Sequence, residues 1–421
     1  MKALLKQVII NDPASPHHQL KKDVFIVAGI IQQIADSIQE KADTEIFEEG
    51  LTISPGWVDV FANFCDPGLE YKETLESGSR AAAAGGFTHV MVIPNTKPVV
   101  DVKSTVEYIV QKSASLPVKI IPIGAISKNA EGKELAEMYD MQASGAGAFS
   151  DGLNPVQSAG MLLKALQYIK SFDGVIIQVP EDKTIAPHGL VNEGIISTQL
   201  GLPGKPVMAE ELIIARDIKL SRYTDSHLHF TAVTSPKSIE YISRAKAGGL
   251  KVTCSVTPYH LCFCDEDLLQ YDTNLKVNPP LRTREEMMLL RKALIDGQVD
   301  CIATHHMPQD YDAKVIEFEY AKYGMIGLES CYGVLRTTVP EISDARWAEL
   351  LSINPRKIFS IQQSGIDSNQ PADITLYHPA KTFTFSKENI QSKCSNTPFI
   401  GKTLTGKVKG IIRGEKIFLN N

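Results

Sequence analysis

Over the first fifty residues, short apolar runs such as Val8-Ile9-Ile10 and Val24-Phe25-Ile26-Val27 interleave with polar positions. Turn residues follow at Asn11-Asp12-Pro13 and Ala28-Gly29, which predicts a small β unit. From Gly56 the pattern changes to short β-rich runs alternating with helical spacing, the pattern of βα units around a parallel sheet. Eight strands are predicted, over 52–64, 88–95, 118–127, 146–151, 174–180, 227–234, 251–261 and 300–306. Apolar positions at helical spacing predict helices over 74–84, 158–172, 210–222, 236–247 and 284–295, and again near 328–338 and 344–361. β character returns at 372–377 and 406–412, with Gly414-Glu415-Lys416 as a closing turn.

The expected architecture is therefore α/β: a (β/α)8 TIM-like barrel over 53–365, with a small β-sandwich domain made by both termini, 1–52 plus 366–421. A chain of 421 residues fits such a barrel with an accessory unit. Chemistry is expected where the barrel strands end.

Composition narrows the partners. The net charge is −6 and no basic run tracks a face, so a nucleic-acid footprint is not supported. Apolar stretches fall short of the roughly 20 residues a membrane span needs, and the N-terminal residues lack a signal-peptide core. A cytoplasmic location is expected. Seven cysteines, odd in number and without a C-x-x-C pair, argue against a disulfide framework. Cys262 and Cys264 alternate along what reads as a strand extension, where packing outweighs a metal pair.

Specific chemistry enters with strand one, Pro55-Gly56-Trp57-Val58-Asp59-Val60-Phe61-Ala62-Asn63-Phe64-Cys65-Asp66-Pro67-Gly68. Ordered matches follow in Pro94-Asn95-Thr96, Ala148-Phe149-Ser150-Asp151, Asn278-Pro279-Pro280-Leu281-Arg282, Ile302-Ala303-Thr304 and Gly327-Leu328-Glu329, and Asn396-Thr397-Pro398-Phe399 continues the series. Taken together the chain resembles the dihydroorotases of the amidohydrolase superfamily over nearly its whole length. The resemblance implies two zinc ions held by His-x-His on strand one, an Asp or carboxylated Lys after strand four, a His at each of strands five and six, and an Asp after strand eight. It also implies hydrolysis of a cyclic amide in pyrimidine biosynthesis.

The expected donors are mostly absent. Phe61 and Asn63 stand at the His-x-His positions and Cys65 where an arginine would take the substrate carboxylate. Phenylalanine has no lone pair, asparagine offers a neutral carbonyl, and cysteine cannot replace a bidentate guanidinium. Val179 precedes Pro180-Glu181-Asp182 where the family has histidine, and Ala232 occupies the strand-six position. His305 stands for the Asp that would both ligate and act as general base, and Gln309 replaces a substrate-contacting histidine. Only Asp151 is unchanged, with His305 ligand-capable.

His227-Leu228-His229 looks like a relocated His-x-His. A regular strand in register with Ala232 would turn 228, 230 and 232 inward and both histidines outward. Asn95 and Asn278 match substrate contacts of the resembled family but also suit turns. Asp59 matches too, beside the first ligand position. His260 reads as a scaffold residue, and His17 and His18 fall in a loop.

The leading expectation is a noncatalytic homologue kept for assembly or regulation, a homo-oligomer without cofactor. The resemblance makes aspartate carbamoyltransferase a candidate partner. One alternative is an active hydrolase with a rebuilt zinc site of Asp151, His305 and Cys65. Another is a small-molecule sensor using a pocket lined by Phe61.

Overall fold

The computed structural model describes residues 1–363 and 365–420; positions 364 and 421, inside the two expected domain ranges, lie outside the described residues. Eight parallel strands, Trp57–Ala62, Phe87–Val92, Lys119–Gly124, Ala148–Phe149, Val175–Gln178, His227–Phe230, Val252–Val256 and Cys301–Ile302, follow one another around the barrel. Closure comes from a parallel bridge between Ala62 and His306 and from Asn63 N–H donating to the His306 carbonyl at 2.9 Å.

Both faces of these strands are buried, so their sequences read as near-continuous apolar runs. One face packs against the helices: Leu228, Phe230, Val252 and Ile302 share a cluster with Leu75, Val106, Leu162 and Ile239. The other fills the barrel: Val60, Met91, Ile123, Ile177 and Ala303 meet Phe359 from the C-terminal helical segment. The helices begin on side-chain caps that satisfy their first N–H groups, Thr74, Ser158, Ser235 and Thr283 among them.

The termini combine in a single eight-stranded mixed sheet. Lys2–Ile10 lies beside Thr52–Pro55, which pairs in turn with Asp373–Thr384, then Thr403–Arg413 and Lys416–Leu419. Its apolar face gathers Leu5, Val24, Ile53, Ile374 and Ile412 into a core separate from the barrel's. Among the described residues no helix is long and apolar enough to cross a membrane.

Three expectations need correction. The run 52–64 is not one strand, because the chain changes sheets at Gly56. A Cβ there would lie 2.1 Å from Asp373 Oδ1 and 2.2 Å from Thr88 Oγ1, so only glycine lets the terminal sheet sit this close to the barrel. Buried Arg356 seals the junction, donating to the Gly56 carbonyl at 2.9 Å and pairing with Asp373 at 2.7 Å.

Strand seven, expected over 251–261, stops at Val256. Thr257 then caps a short helix, Pro258–Cys262, so Cys262 ends a helix and Cys264 follows it; the two do not alternate along a strand.

The facing of strand six is also reversed. His229 is in register with Ile177, which belongs to the barrel interior, whereas Leu228 and Phe230 face the helices. Ala232 lies beyond the strand with φ 55°, so counting back from it in steps of two gives the wrong face.

Candidate functional site

The mouth of the barrel is built from the segments that follow strands one, four, five, seven and eight. In strand one the pairing register slips between Asp59 and Ala62, a bulge that turns both Val60 and Phe61 into the interior. Phe61 stacks on His305, ring centroids 4.3 Å apart and planes 22° from parallel. Asn63 Oδ1 accepts from Cys65 N–H at 2.9 Å and shapes the turn leaving the strand. Cys65 is buried, and burial pushes its thiol up to about 12, so it stays protonated.

Below this stack runs a buried chain of hydrogen bonds. His229 Nδ1 meets Thr253 Oγ1 at 2.9 Å and its Nε2 meets Ser255 Oγ at 3.0 Å. Ser255 donates to Thr231 Oγ1 at 2.9 Å, and Thr231 Oγ1 lies 2.8 Å from His305 Nε2. Strands six, seven and eight are thus joined by polar groups that satisfy one another inside an apolar barrel, as burial of polar atoms demands. Burial holds His229 and His305 each down to about 3, which keeps both imidazoles neutral. His305 sits at φ 46°, a left-handed conformation that few side chains adopt.

Asp151 is turned away from this stack. Its Oδ1 accepts from Ile126 N–H and Ser127 N–H, both at 2.9 Å, and its Oδ2 from the Ser127 hydroxyl at 2.5 Å. Asn95 is bound to the same segment, donating to the Asp151 carbonyl at 3.2 Å and accepting from Leu153 N–H at 3.0 Å. Val179 and Ala232 contribute buried hydrocarbon. Of the family ligand positions, those of Phe61, Val179 and Ala232 therefore bring no donor atom, and Asp151 is engaged by Ile126 and Ser127. Nor are Cys65, Asp151 and His305 gathered around one point: among the described residues no three His, Cys, Asp or Glu side chains are placed to hold a metal ion.

The matched Asp59 proves to be a closure residue. Its carboxylate accepts from Thr304 N–H and Thr304 Oγ–H, both at 2.7 Å, tying strand one to strand eight on the outer face. Gln309 is held by Lys72 at 2.9 Å and by the Tyr323 carbonyl at 2.8 Å. His260 has Thr257 Oγ1 and the Pro279 carbonyl at 2.9 Å on its two nitrogens, a satisfied scaffold residue.

What the mouth retains is a cavity of about 410 Å³ above His305, walled by Val179, Met307, Tyr259 and Tyr323. Of its polar side, sequence reasoning named Asn278 and missed Lys205 and its pairing with Glu181. Lys205 forms a nearly buried ion pair with Glu181, Asn278 Nδ2 donates to Glu181 Oε2 at 2.8 Å, and Lys205 donates to Asn278 Oδ1 at 2.9 Å. Asn278 is thus the one matched substrate-contact residue that faces the cavity. A lysine between Gly204 and Pro206 was the available signal, but its strand, Gly204–Lys205, is two residues long and reaches the mouth through a long excursion.

The far wall is held by two buried ammonium groups. Lys276 donates to the Phe318 and Glu319 carbonyls at 2.7 and 2.8 Å, and Lys314 to those of Lys322 and Gly324 at 2.8 and 3.0 Å. Lys276 also lies 5.0 Å from the centre of the Tyr323 ring. The wall is therefore held by the chain's own hydrogen bonds.

The profile of the Dihydro-orotase-like family matches residues 50–238. The dihydroorotase of Syntrophus aciditrophicus is 40% identical over 413 residues, 97% of each chain. That of Carboxydothermus hydrogenoformans is 41% identical over 391 residues, 92% of this chain and 91% of its own. Among solved structures, the L-hydantoinase (dihydropyrimidinase) of Arthrobacter aurescens superposes with a TM-score of 0.87 at 21% identity, covering 99% of this chain and 96% of that one. The last likeness shows the fold: a parallel eight-stranded barrel with a mixed sheet from both termini.

Proposed function

From the premise that the chain belongs to the dihydroorotase family, we propose that it is a member that has given up the family's hydrolysis and serves as a noncatalytic assembly or regulatory homologue. The observation that carries this reading is the Phe61–His305 stack. A hydrocarbon ring stands at one of the two His-x-His positions, with Asn63 at the other turned to its own backbone, and the ring lies against a neutral histidine where a carboxylate base would stand. Family hydrolysis needs a metal to acidify water and a carboxylate to shuttle its proton. Asp151 is engaged by the segment after strand three, Val179 and Ala232 offer no donor, and the one cavity carboxylate, Glu181, is paired with Lys205, so neither requirement is met at the family positions.

The scaffold itself is whole: a closed barrel, a terminal sheet built from both ends of the chain and a mouth held by its own hydrogen bonds. Homo-oligomerisation, and association with the aspartate carbamoyltransferase of the same cell, are the partnerships proposed for it, in the cytoplasm.

The test is metal analysis together with hydrolysis assays in both directions, dihydroorotate opening and carbamoyl aspartate closure, on protein purified with and without added zinc. Substoichiometric zinc and no turnover are expected. Stoichiometric zinc with dihydroorotate turnover would overturn the proposal.

A further inference from the structure

A purely structural relic has no use for unbalanced charge in its former site, yet the cavity carries some. Two ammonium groups, Lys183 and Lys205, and one carboxylate, Glu181, line it. Lys205 and Glu181 neutralise each other, and among the described residues the Lys183 ammonium has no ion-pair partner. Its one hydrogen bond is to the neutral Asn154 carbonyl Oδ1 at 3.2 Å. Burial, with Lys205 adding to it, holds the Lys183 ammonium below its ordinary value against the pull of Glu181. Lys183 is exposed at the cavity rim, and a cation without its own counterion at the edge of a pocket favours an anion beside it.

The remaining walls are apolar. Leu153, Val179, Pro187 and Met307 face the same space, and its volume of about 410 Å³ falls in the range of small-molecule pockets. The wall pinned by Lys276 and Lys314 is already in place, so little ordering opposes binding.

We propose that this cavity binds a small monocarboxylate with an apolar body and releases it unchanged. The carboxylate lies toward Lys183 and the free edge of the Lys205–Asn278 pair, and the body lies against Val179 and Met307. This rests on the reading that the hydrolytic chemistry is gone, and it makes the homologue a ligand-responsive one. One ligand charge balances the cavity. A dicarboxylate brings one too many, and a neutral amide brings none.

Isothermal titration of the full chain with phenylacetate and isovalerate tests this, with phenylacetamide as the uncharged match and succinate as the dicarboxylate. Binding of at least one of the two monocarboxylates is expected, with both controls weaker by roughly tenfold or more. Lys183→Met, at the exposed rim, should weaken that binding by a similar factor while the free protein melts as before. Failure of both monocarboxylates to bind, equal binding of phenylacetamide, or undiminished binding by Lys183→Met would overturn the proposal. Turnover of dihydroorotate would instead overturn the loss of chemistry, so the two failures are distinguishable.

Discussion

Replacing His229 by glutamine should change how stability depends on pH by one proton. In the folded chain burial holds His229 down to about 3, against an ordinary value of 6.5 once unfolded. The unfolded chain therefore binds the extra proton between these values, and the stability due to the neutral ring is complete above the unfolded value and lost as pH falls below it. At pH 5 the unfolded histidine is almost fully protonated and the folded one almost bare, so the slope is about 1.3 kcal/mol per pH unit. Integrated from pH 7 to 4.5, the loss is about 2.5 kcal/mol from this one side chain. His89, His260 and His305 are lowered to about 3 in the same way. Asp59 and Asp217, raised by burial to about 6, act in the opposite sense, because the folded state takes up their protons first as pH falls. The wild-type slope is a sum of both kinds, whereas its difference from His229→Gln isolates one group. Glutamine can still bond the Thr253 and Ser255 hydroxyls. Urea unfolding at several pH values between 4.5 and 7 gives the proton uptake of each protein. A decrease of about one proton at pH 5 is expected, and a difference below about 0.3 would refute the assignment of His229 as a neutral interior group.

Two further substitutions probe the mouth. Phe61→Ala removes the ring stacked on His305 and should lower stability by about 3–5 kcal/mol in urea unfolding; a loss below about 1 would mean that the ring does not fill the site. Lys205→Met leaves the nearly buried Glu181 carboxylate with Asn278 alone and should cost about 3–5 kcal/mol. Adding Glu181→Gln should recover more than half of that loss, and strictly additive losses in the double-mutant cycle would show that the two charges are independent.

The barrel was legible because a strand buried on both faces and a helix buried on one leave different periods in the sequence. Seven of the eight strands fall within the runs that predict them and the second, Phe87–Val92, starts one residue ahead of its run, although the fourth and eighth form only two ladder residues each. What failed was local geometry without a period. The sheet change at Gly56 leaves the chain extended on both sides, so nothing in the pattern marks it. The bulge before Ala62 and the left-handed Ala232 each break the count of two that assigns faces, and the second of these is why His229 was read as outward. The replaced donors were legible from residue type alone, since no packing gives phenylalanine or valine a lone pair. The Lys205–Glu181–Asn278 cluster was not, because its members are brought together from separate loops over as many as 97 residues of chain.

The junction at Gly56 also sets a timetable for synthesis. Trp57 N–H reaches the Thr375 hydroxyl across 318 residues, and Thr52–Pro55 lies between Lys2–Ile10 and Asp373–Thr384. At about 5–20 residues per second, translation takes roughly 15–60 s to deliver the later partner after the earlier one. Throughout that interval the N-terminal strands wait on the ribosome with one edge unpaired and Ile53 lacking Ile374, Leu376 and Ile412 from its core. A nascent chain of this design depends on its surroundings to keep that edge from pairing with another.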